Sequence, residues 1–193
     1  YEHRRVDLFA VYFGGVDVVS HRFWKFTYPD DERYGTDPAE AAILKGIIPG
    51  YYEYMDGILG EFLDRMDDRT TLVVLSDHGF KPVLIPGKPT TSGHHRLEGI
   101  LALYGRGIAP GRTLEGSTLL DILPTIFALM GEPISRELPG KVLAGAFSLP
   151  PTDRLRLEYV DAYPPRPART APTPGEEVDA NVLDGLRSLG YIQ

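Results

Sequence analysis

The chain has 193 residues, 42% of them hydrophobic and 24% charged, a length that buries about 70% of the surface an unfolded chain exposes and a composition of ordinary globular character. Its formal net charge of −7, from 20 basic and 27 acidic residues with no basic block, excludes a chain built to coat nucleic acid. It has no cysteine, which excludes a disulfide scaffold, a thiolate nucleophile, an iron–sulfur cluster and any Cys-containing zinc site, so a metal would have to be held by His and carboxylates.

No apolar run approaches the roughly 18 residues of a membrane span. Tyr1-Glu2-His3-Arg4-Arg5 is not followed by a signal-peptide core. With Tyr rather than Met in first place, the chain is expected to be a piece of a longer protein. A cysteine-free chain is compatible with an extracytoplasmic or a cytoplasmic location, and nothing in the sequence sets the oligomeric state.

Residues 6–13 are β-rich and almost continuously apolar before Gly14-Gly15, the pattern of a strand buried on both faces of a parallel sheet. Residues 22–36, aromatic and polar with Pro29 and Gly35, read as a loop. Asp37-Pro38 forms an N-cap with Pro at the first helical position, and residues 39–44 continue as helix. Beyond Pro49, Tyr51, Tyr54, Met55, Ile58, Leu59, Phe62, Leu63 and Met66 recur at helical spacing. That predicts one amphipathic helix of about four turns, kinked at Pro49-Gly50. Residues 71–76 are a second buried strand, and strand, helical crossover, strand is the βαβ unit of a parallel sheet. Residues 81–96 read as a Pro- and Gly-rich loop, and residues 100–104 as a third strand closed by Gly105-Arg106-Gly107. Ser117 is placed to cap a helix that runs to Met130, bent by Pro124 and ended by Gly131. Three regions follow: 1–149 with all these elements, 150–177 as a Pro-rich extended segment, and 178–193 as a short helix and tail.

Three of the five histidines fall just after predicted strands or in loops between them, at the edge where open parallel α/β sheets bind ligands. Asp17 and His21, four residues apart, share one face of a helical turn and can reach one cation. Taken alone, the pair is better read as an Asp capping the turn and a His that packs. Asp77 and His78 end the second strand, and both reach one metal only if the chain turns there, which Gly79 allows. A turn whose carboxylate holds backbone N–H groups explains that pair equally well. His94 and His95 lie in the loop before the third strand, where most histidines do nothing. The convergence of these segments on one sheet edge, with two Asp, at least three His and no Cys, suits two Zn²⁺-like ions about 3.5–4 Å apart that polarise a phosphoryl oxygen and activate a nucleophile. Trp24, beside Arg22 and Phe23, reads as a packing residue rather than the lining of a cleft, and Asp121 as a structural residue at a helix start.

Taken in order, Asp17-x-x-x-His21, Ser76-Asp77-His78-Gly79-Phe80 and Gly93-x-His95 resemble the metal-binding segments of type I phosphodiesterases and nucleotide pyrophosphatases of the alkaline phosphatase superfamily. Gly105-Arg106-Gly107-Ile108, Leu120-Asp121-Ile122-Leu123-Pro124-Thr125-Ile126 and Leu186-Arg187-Ser188-Leu189-Gly190-Tyr191 resemble further segments of that family, although Arg106 stands where the family often has Pro. The resemblance covers roughly residues 6–145. It implies a three-layer α/β/α fold with a mostly parallel sheet, alkaline-phosphatase-like and incomplete on its N-terminal side. It further implies two divalent ions of the zinc type, one held by Asp17, His21 and His95 and the other by Asp77 and His78, with His94 facing solvent or substrate. The family's further Asp and its nucleophilic Thr or Ser are expected upstream, so no catalytic residue is assigned within this chain. The implied activity is hydrolysis of phosphate esters, above all phosphodiester or nucleotide pyrophosphate bonds, on a small-molecule phosphate ester or nucleotide. A phosphomonoesterase, a sulfatase, a phosphoglycerate mutase and a non-catalytic metal-binding module are the alternatives.

Overall fold

Helix-forming sequence dominates the first third of the chain and short β-rich runs follow it, and a computed structural model describes residues 6–28, 32–82, 93–148 and 157–165 of this arrangement. Helices α1 (Gly15–Thr27), α2 (Pro38–Leu44) and α3 (Ile47–Arg65) precede strands β1 (Thr71–Leu75), β2 (Gly79–Pro82), β3 (Gly93–Arg96) and β4 (Leu101–Gly105). A 3-10 turn, Leu119–Asp121, leads into α4 (Ile122–Met130), β5 (Ile134–Ser135) and β6 (Tyr159–Val160) follow, and Glu32–Tyr34 and Ala144–Ala146 are further 3-10 turns. The chain is therefore of the α/β class. His3, residues 83–92 and 178–193, and much of the Pro-rich stretch lie outside the described residues.

Each helix obeys local chemistry. The Asp37 carboxylate accepts from the Ala39 and Glu40 N–H groups at 2.7 and 3.3 Å and caps α2, with Pro38 at its first position. Pro49 occupies the first turn of α3, where its missing N–H removes no intrahelical bond, so the predicted interruption becomes one 19-residue helix. Residues 22–27 are not loop but the second half of α1. There Trp24 and Tyr28 stand one turn apart with ring centroids 6.0 Å from each other. Between α3 and β1, Asp67 accepts from the Arg69 N–H and the Thr70 hydroxyl, and the Arg69 guanidinium grips its second oxygen at 2.7 Å. These bonds, those from the Arg69 and Thr70 side chains first, hold the exposed carboxyl down to about 2.

The strands depart from expectation in two ways. Residues 6–13 form no ladder with any described residue, and Tyr12 is 79% exposed. β-rich composition supplies the inclination to pair, but a strand exists only when a neighbour takes up its N–H and C=O groups. Phe9 instead meets Phe62 of α3 at 6.2 Å. The expected βαβ unit is thus not formed among the described residues. Strand β1 pairs antiparallel with β4, from Thr71↔Gly105 to Leu75↔Leu101. The chain returns from β1 through a second antiparallel pair, β2 with β3, and not through a helix, so it comes back in the opposite direction. Ser76 clips this return: its N–H donates to the Ile100 carbonyl at 3.0 Å and its hydroxyl oxygen accepts from the Ile100 N–H at 3.0 Å. Among the described strands, only β5 and β6 pair in parallel.

One face of the β1–β4 pair, with Val73, Leu101 and Leu103, meets Ile122, Ile126 and Leu143. The 3-10 turn that leads into α4 is capped by Thr118, not Ser117, in a reciprocal box with Asp121. The buried Asp121 carboxylate accepts from the Thr118 N–H and hydroxyl at 2.9 and 3.1 Å and from the Lys141 N–H at 2.8 Å. Lys141 first, then Thr118, holds this carboxyl below the usual carboxylate range against the opposing effect of burial. Thr125 donates to the Asp121 carbonyl at 2.6 Å and accepts from the Leu143 N–H at 3.0 Å, so residues 141–143 are stitched to α4. Gly131, at φ 75°, closes the helix in the left-handed conformation that only glycine adopts cheaply. Part of the stretch read as an extended linker is docked here: the Tyr163 hydroxyl donates to the Pro133 carbonyl at 2.9 Å and accepts from the Ser135 N–H at 3.0 Å.

Candidate metal centre

Helix α1 lies against α3 on one side and the β2–β3 hairpin on the other. Its 3.6-residue period puts Asp17 and His21 on the same side, one turn apart. His78 enters from the bend after β1. His95 enters from β3, where it stands opposite Phe80. Residues 93–96, read from the sequence as loop, are strand, and strand alternation decides between the two adjacent histidines. Gly93 and His95 face inward, whereas His94 and Arg96 are exposed.

Gly93 makes the hairpin's close approach possible. A Cβ there would lie 2.9 Å from Phe80 Cδ1 and 3.0 Å from Trp24 Cγ, inside contact distance. Trp24 and Phe80 stack at 5.7 Å, so Trp24 packs, as its sequence context indicates. Phe80 is the shared wall of the site, with its centroid 5.0 Å from His21 and 5.5 Å from both His78 and His95. Sequence reasoning gave Phe80 no role. Its signal was the cross-strand pairing with His95, legible only once residues 79–96 are recognised as a hairpin.

Asp17 is 9% exposed. Its Oδ1 lies 3.5 Å from His21 Nε2, 3.6 Å from His78 Nε2 and 3.4 Å from His95 Nε2, and it has no hydrogen-bond partner. Ligands placed tetrahedrally around a zinc-sized ion with bonds of 2.0–2.1 Å stand about 3.3 Å from one another, so separations of 3.4–3.6 Å suit a carboxylate set beside cation-binding nitrogens. Candidate ligand atoms of Asp17, His78 and His95 all lie within 4.8 Å of one another. His21 Nε2 is 2.8 Å from His95 Nε2, close enough for one ring to donate to the other. The His78 and His95 rings stack with centroids 3.6 Å apart.

The tautomer of His78 is set by its neighbour. Its Nδ1 lies 3.2 Å from the Gly79 carbonyl, which can only accept, so the proton sits on Nδ1 and the Nε2 lone pair faces Asp17. Burial above all, then the charges of His78 and His21, pushes the His95 imidazole below its ordinary value, against the opposing pull of Asp17. A neutral ring is the form that binds a metal. Asp77 stands at the rim, its side chain 62% exposed and its Oδ1 3.8 Å from His78 Nε2. The structure therefore groups Asp17, His21, His78 and His95 together, keeps Asp77 at the margin and leaves His94 outside, its Nδ1 3.3 Å from the His95 carbonyl.

Fold and site together define an α/β protein with a buried Asp–His centre suited to a divalent ion. Residues 1–107, which contain every residue of this centre, match the profile of the type I phosphodiesterase / nucleotide pyrophosphatase family, and the chain belongs to that family. It is also similar to the 2,3-bisphosphoglycerate-independent phosphoglycerate mutases of Clostridium perfringens strain 13 and strain SM101, at 30% identity over 144 residues. The match takes in 72% of this chain and 24% of each relative, so the chain spans about a quarter of the length of these curated relatives. No solved structure matches it.

Proposed function

We propose that this chain is part of a metal-dependent hydrolase of phosphate esters, acting on phosphodiester or nucleotide pyrophosphate bonds of a small-molecule substrate. Asp17, His21 and His95 serve one divalent ion of the zinc type, and Asp77 and His78 a second. The observation that carries this reading is the buried Asp17 oxygen without a hydrogen bond, facing three imidazole nitrogens at 3.4–3.6 Å. A buried carboxylate left so is costly unless a cation compensates it. Bound ions would polarise the phosphoryl oxygen and activate the attacking group.

The chain's own residues prepare for that chemistry. The Gly79 carbonyl orients His78, burial favours the neutral form of His95, and the Phe80–Trp24 stack walls the rings. Asp77, exposed at the rim, is the carboxylate open to a second ion. No nucleophile is assigned to this chain; Ser20, on the same helix as Asp17, is 1% exposed and out of reach of substrate. The accompanying architecture is the three-layer, mostly parallel α/β/α fold, with residues 1–149 as one portion of it. Family membership supports that architecture, since the described strands pair only two by two. No described helix is long and apolar enough to cross a membrane.

The similarity to phosphoglycerate mutases favours a second reading, phosphoryl transfer within a phosphorylated hydroxy acid. The two are separated by assaying the protein that carries this chain, with zinc or manganese, against bis(p-nitrophenyl) phosphate and against 3-phosphoglycerate. Metal-dependent diester turnover that His95→Asn abolishes and His94→Asn leaves intact is the expected result. Turnover of 3-phosphoglycerate alone would favour the mutase reading, and diester turnover indifferent to His95 would refute the ligand assignment.

A further inference from the structure

A second cavity, of about 270 Å³, opens between α4 and the β5–β6 pair. None of Asp17, His21, His78 and His95 lines it. Ile134, Leu138, Val142 and the ring of Tyr159 form its apolar wall, and its polar side chains are the cations Arg136 and Lys141 and the hydroxyl of Ser135, with no carboxylate among the described lining residues.

Arg136 is positioned rather than neutralised. Its guanidinium carbon lies 5.1 Å over the Tyr159 ring, and its Nε stands 3.7 Å from Asp161 Oδ1, beyond hydrogen-bonding distance. The Asp161 side chain is fully exposed, so water screens the pair. The Lys141 backbone N–H is spent on Asp121, which anchors the base of its side chain to the most tightly stitched part of the molecule, while its ammonium has no ion-pair partner among the described residues. Below them the floor is rigid: Ile134 and Ser135 are 3% and 2% exposed, and the Ser135 hydroxyl is held by the Glu137 N–H at 3.1 Å. An open pocket with an apolar wall on a rigid floor and two cations among its lining residues has the make-up of a small-ligand site.

We infer that this cavity binds a small amphipathic organic anion, with a phosphoryl or carboxylate group between Arg136 and Lys141 and an aromatic or aliphatic body against Ile134, Leu138 and Tyr159. Planar, two-pronged donation suits Arg136 to such oxygens, and Lys141 supplies the second charge. The site is independent of the metal centre and holds whether or not that centre catalyses phosphoester hydrolysis.

The test is a titration of the full protein in chelator-treated buffer, followed by NMR shift changes or calorimetry. Phenylphosphonate, which no phosphoesterase can cleave, is the amphipathic probe, and inorganic phosphate is the headgroup alone. Saturable binding of phenylphosphonate is expected, weakened about tenfold or more by Arg136→Gln combined with Lys141→Gln, in keeping with the loss of charge-assisted hydrogen bonds. His95→Asn should leave it unchanged, and inorganic phosphate should bind more weakly for want of the apolar contacts. Both cations are exposed, so the double variant is expected to keep its melting temperature, and Ile134→Asn provides a second probe that strikes the apolar wall. Four results would each overturn the inference: no saturable binding, binding indifferent to both the cation and the wall variants, binding abolished by His95→Asn alone, or equal affinity for phosphate and phenylphosphonate.

Discussion

Replacing Asp17 by Asn separates the two roles a buried first-turn carboxylate can have. Without metal the substitution should cost little, because relief of an uncompensated buried charge offsets what is lost. The Asp17 Oδ1 has no hydrogen bond to lose, and the interaction of its charge with the helix dipole is worth about 0.3–1 kcal/mol. With metal the difference becomes large. At an ion concentration about 100 times the dissociation constant, binding stabilises the fold by about 2.7 kcal/mol. If the substitution weakens the site about 100-fold, the same concentration equals the new dissociation constant and the gain shrinks to about 0.4 kcal/mol. The melting temperature should therefore rise by several degrees on adding zinc to the native chain and by about one degree for Asp17→Asn, with similar metal-free values. Differential scanning calorimetry across a zinc series reads both quantities. An equal zinc-induced shift in the two proteins would refute the ligand role, and a large metal-free loss with no change in zinc response would make Asp17 a helix cap.

Gly93→Ala should destabilise by about 1–3 kcal/mol, because its Cβ must displace the Phe80–Trp24 stack. It should also weaken zinc binding through the shift of His95, both measurable in the same calorimeter. Asp121→Ala should cost about 2–4 kcal/mol by leaving the Thr118 and Lys141 N–H groups without an acceptor, while zinc affinity stays unchanged; loss of affinity at unchanged stability would make it a site residue. The Asp121 carboxyl is depressed below 3.8 in the folded chain, so the unfolded chain binds the proton first as pH falls. Its stabilising contribution is complete above about 3.8 and disappears as pH drops through the folded value, so the acid limb of a stability–pH curve should be shallower in Asp121→Asn than in the native chain.

Local signals in the sequence carried far and non-local ones did not. Asp37-Pro38, the Asp17–His21 spacing, the run 71–75 and Gly131 each act within one or two turns, and each forms the element expected of it. Residues 6–13 show the limit, since composition cannot say whether a partner strand lies alongside. The β2–β3 hairpin was hidden for the opposite reason. Its strands are built from Gly, Lys, His, Arg and Pro, and only their pairing across ten intervening residues makes them strands. Choosing His95 over His94 required a family resemblance at the level of sequence, but follows directly from strand alternation once the hairpin exists. Phe80 stayed unnoticed because its partners come from three separate elements.

Because an inward-facing and an exposed imidazole are neighbours on a two-residue repeat, the hairpin behaves as a parity device. Sliding β3 by one residue against β2 would carry His94 into the pocket and turn His95 to solvent, substituting one imidazole for another while shifting its backbone anchor by a full pleat. An odd slip there would leave the composition unchanged, press a side chain where Gly93 now meets Phe80 and Trp24, and leave the Asp–His cluster misassembled.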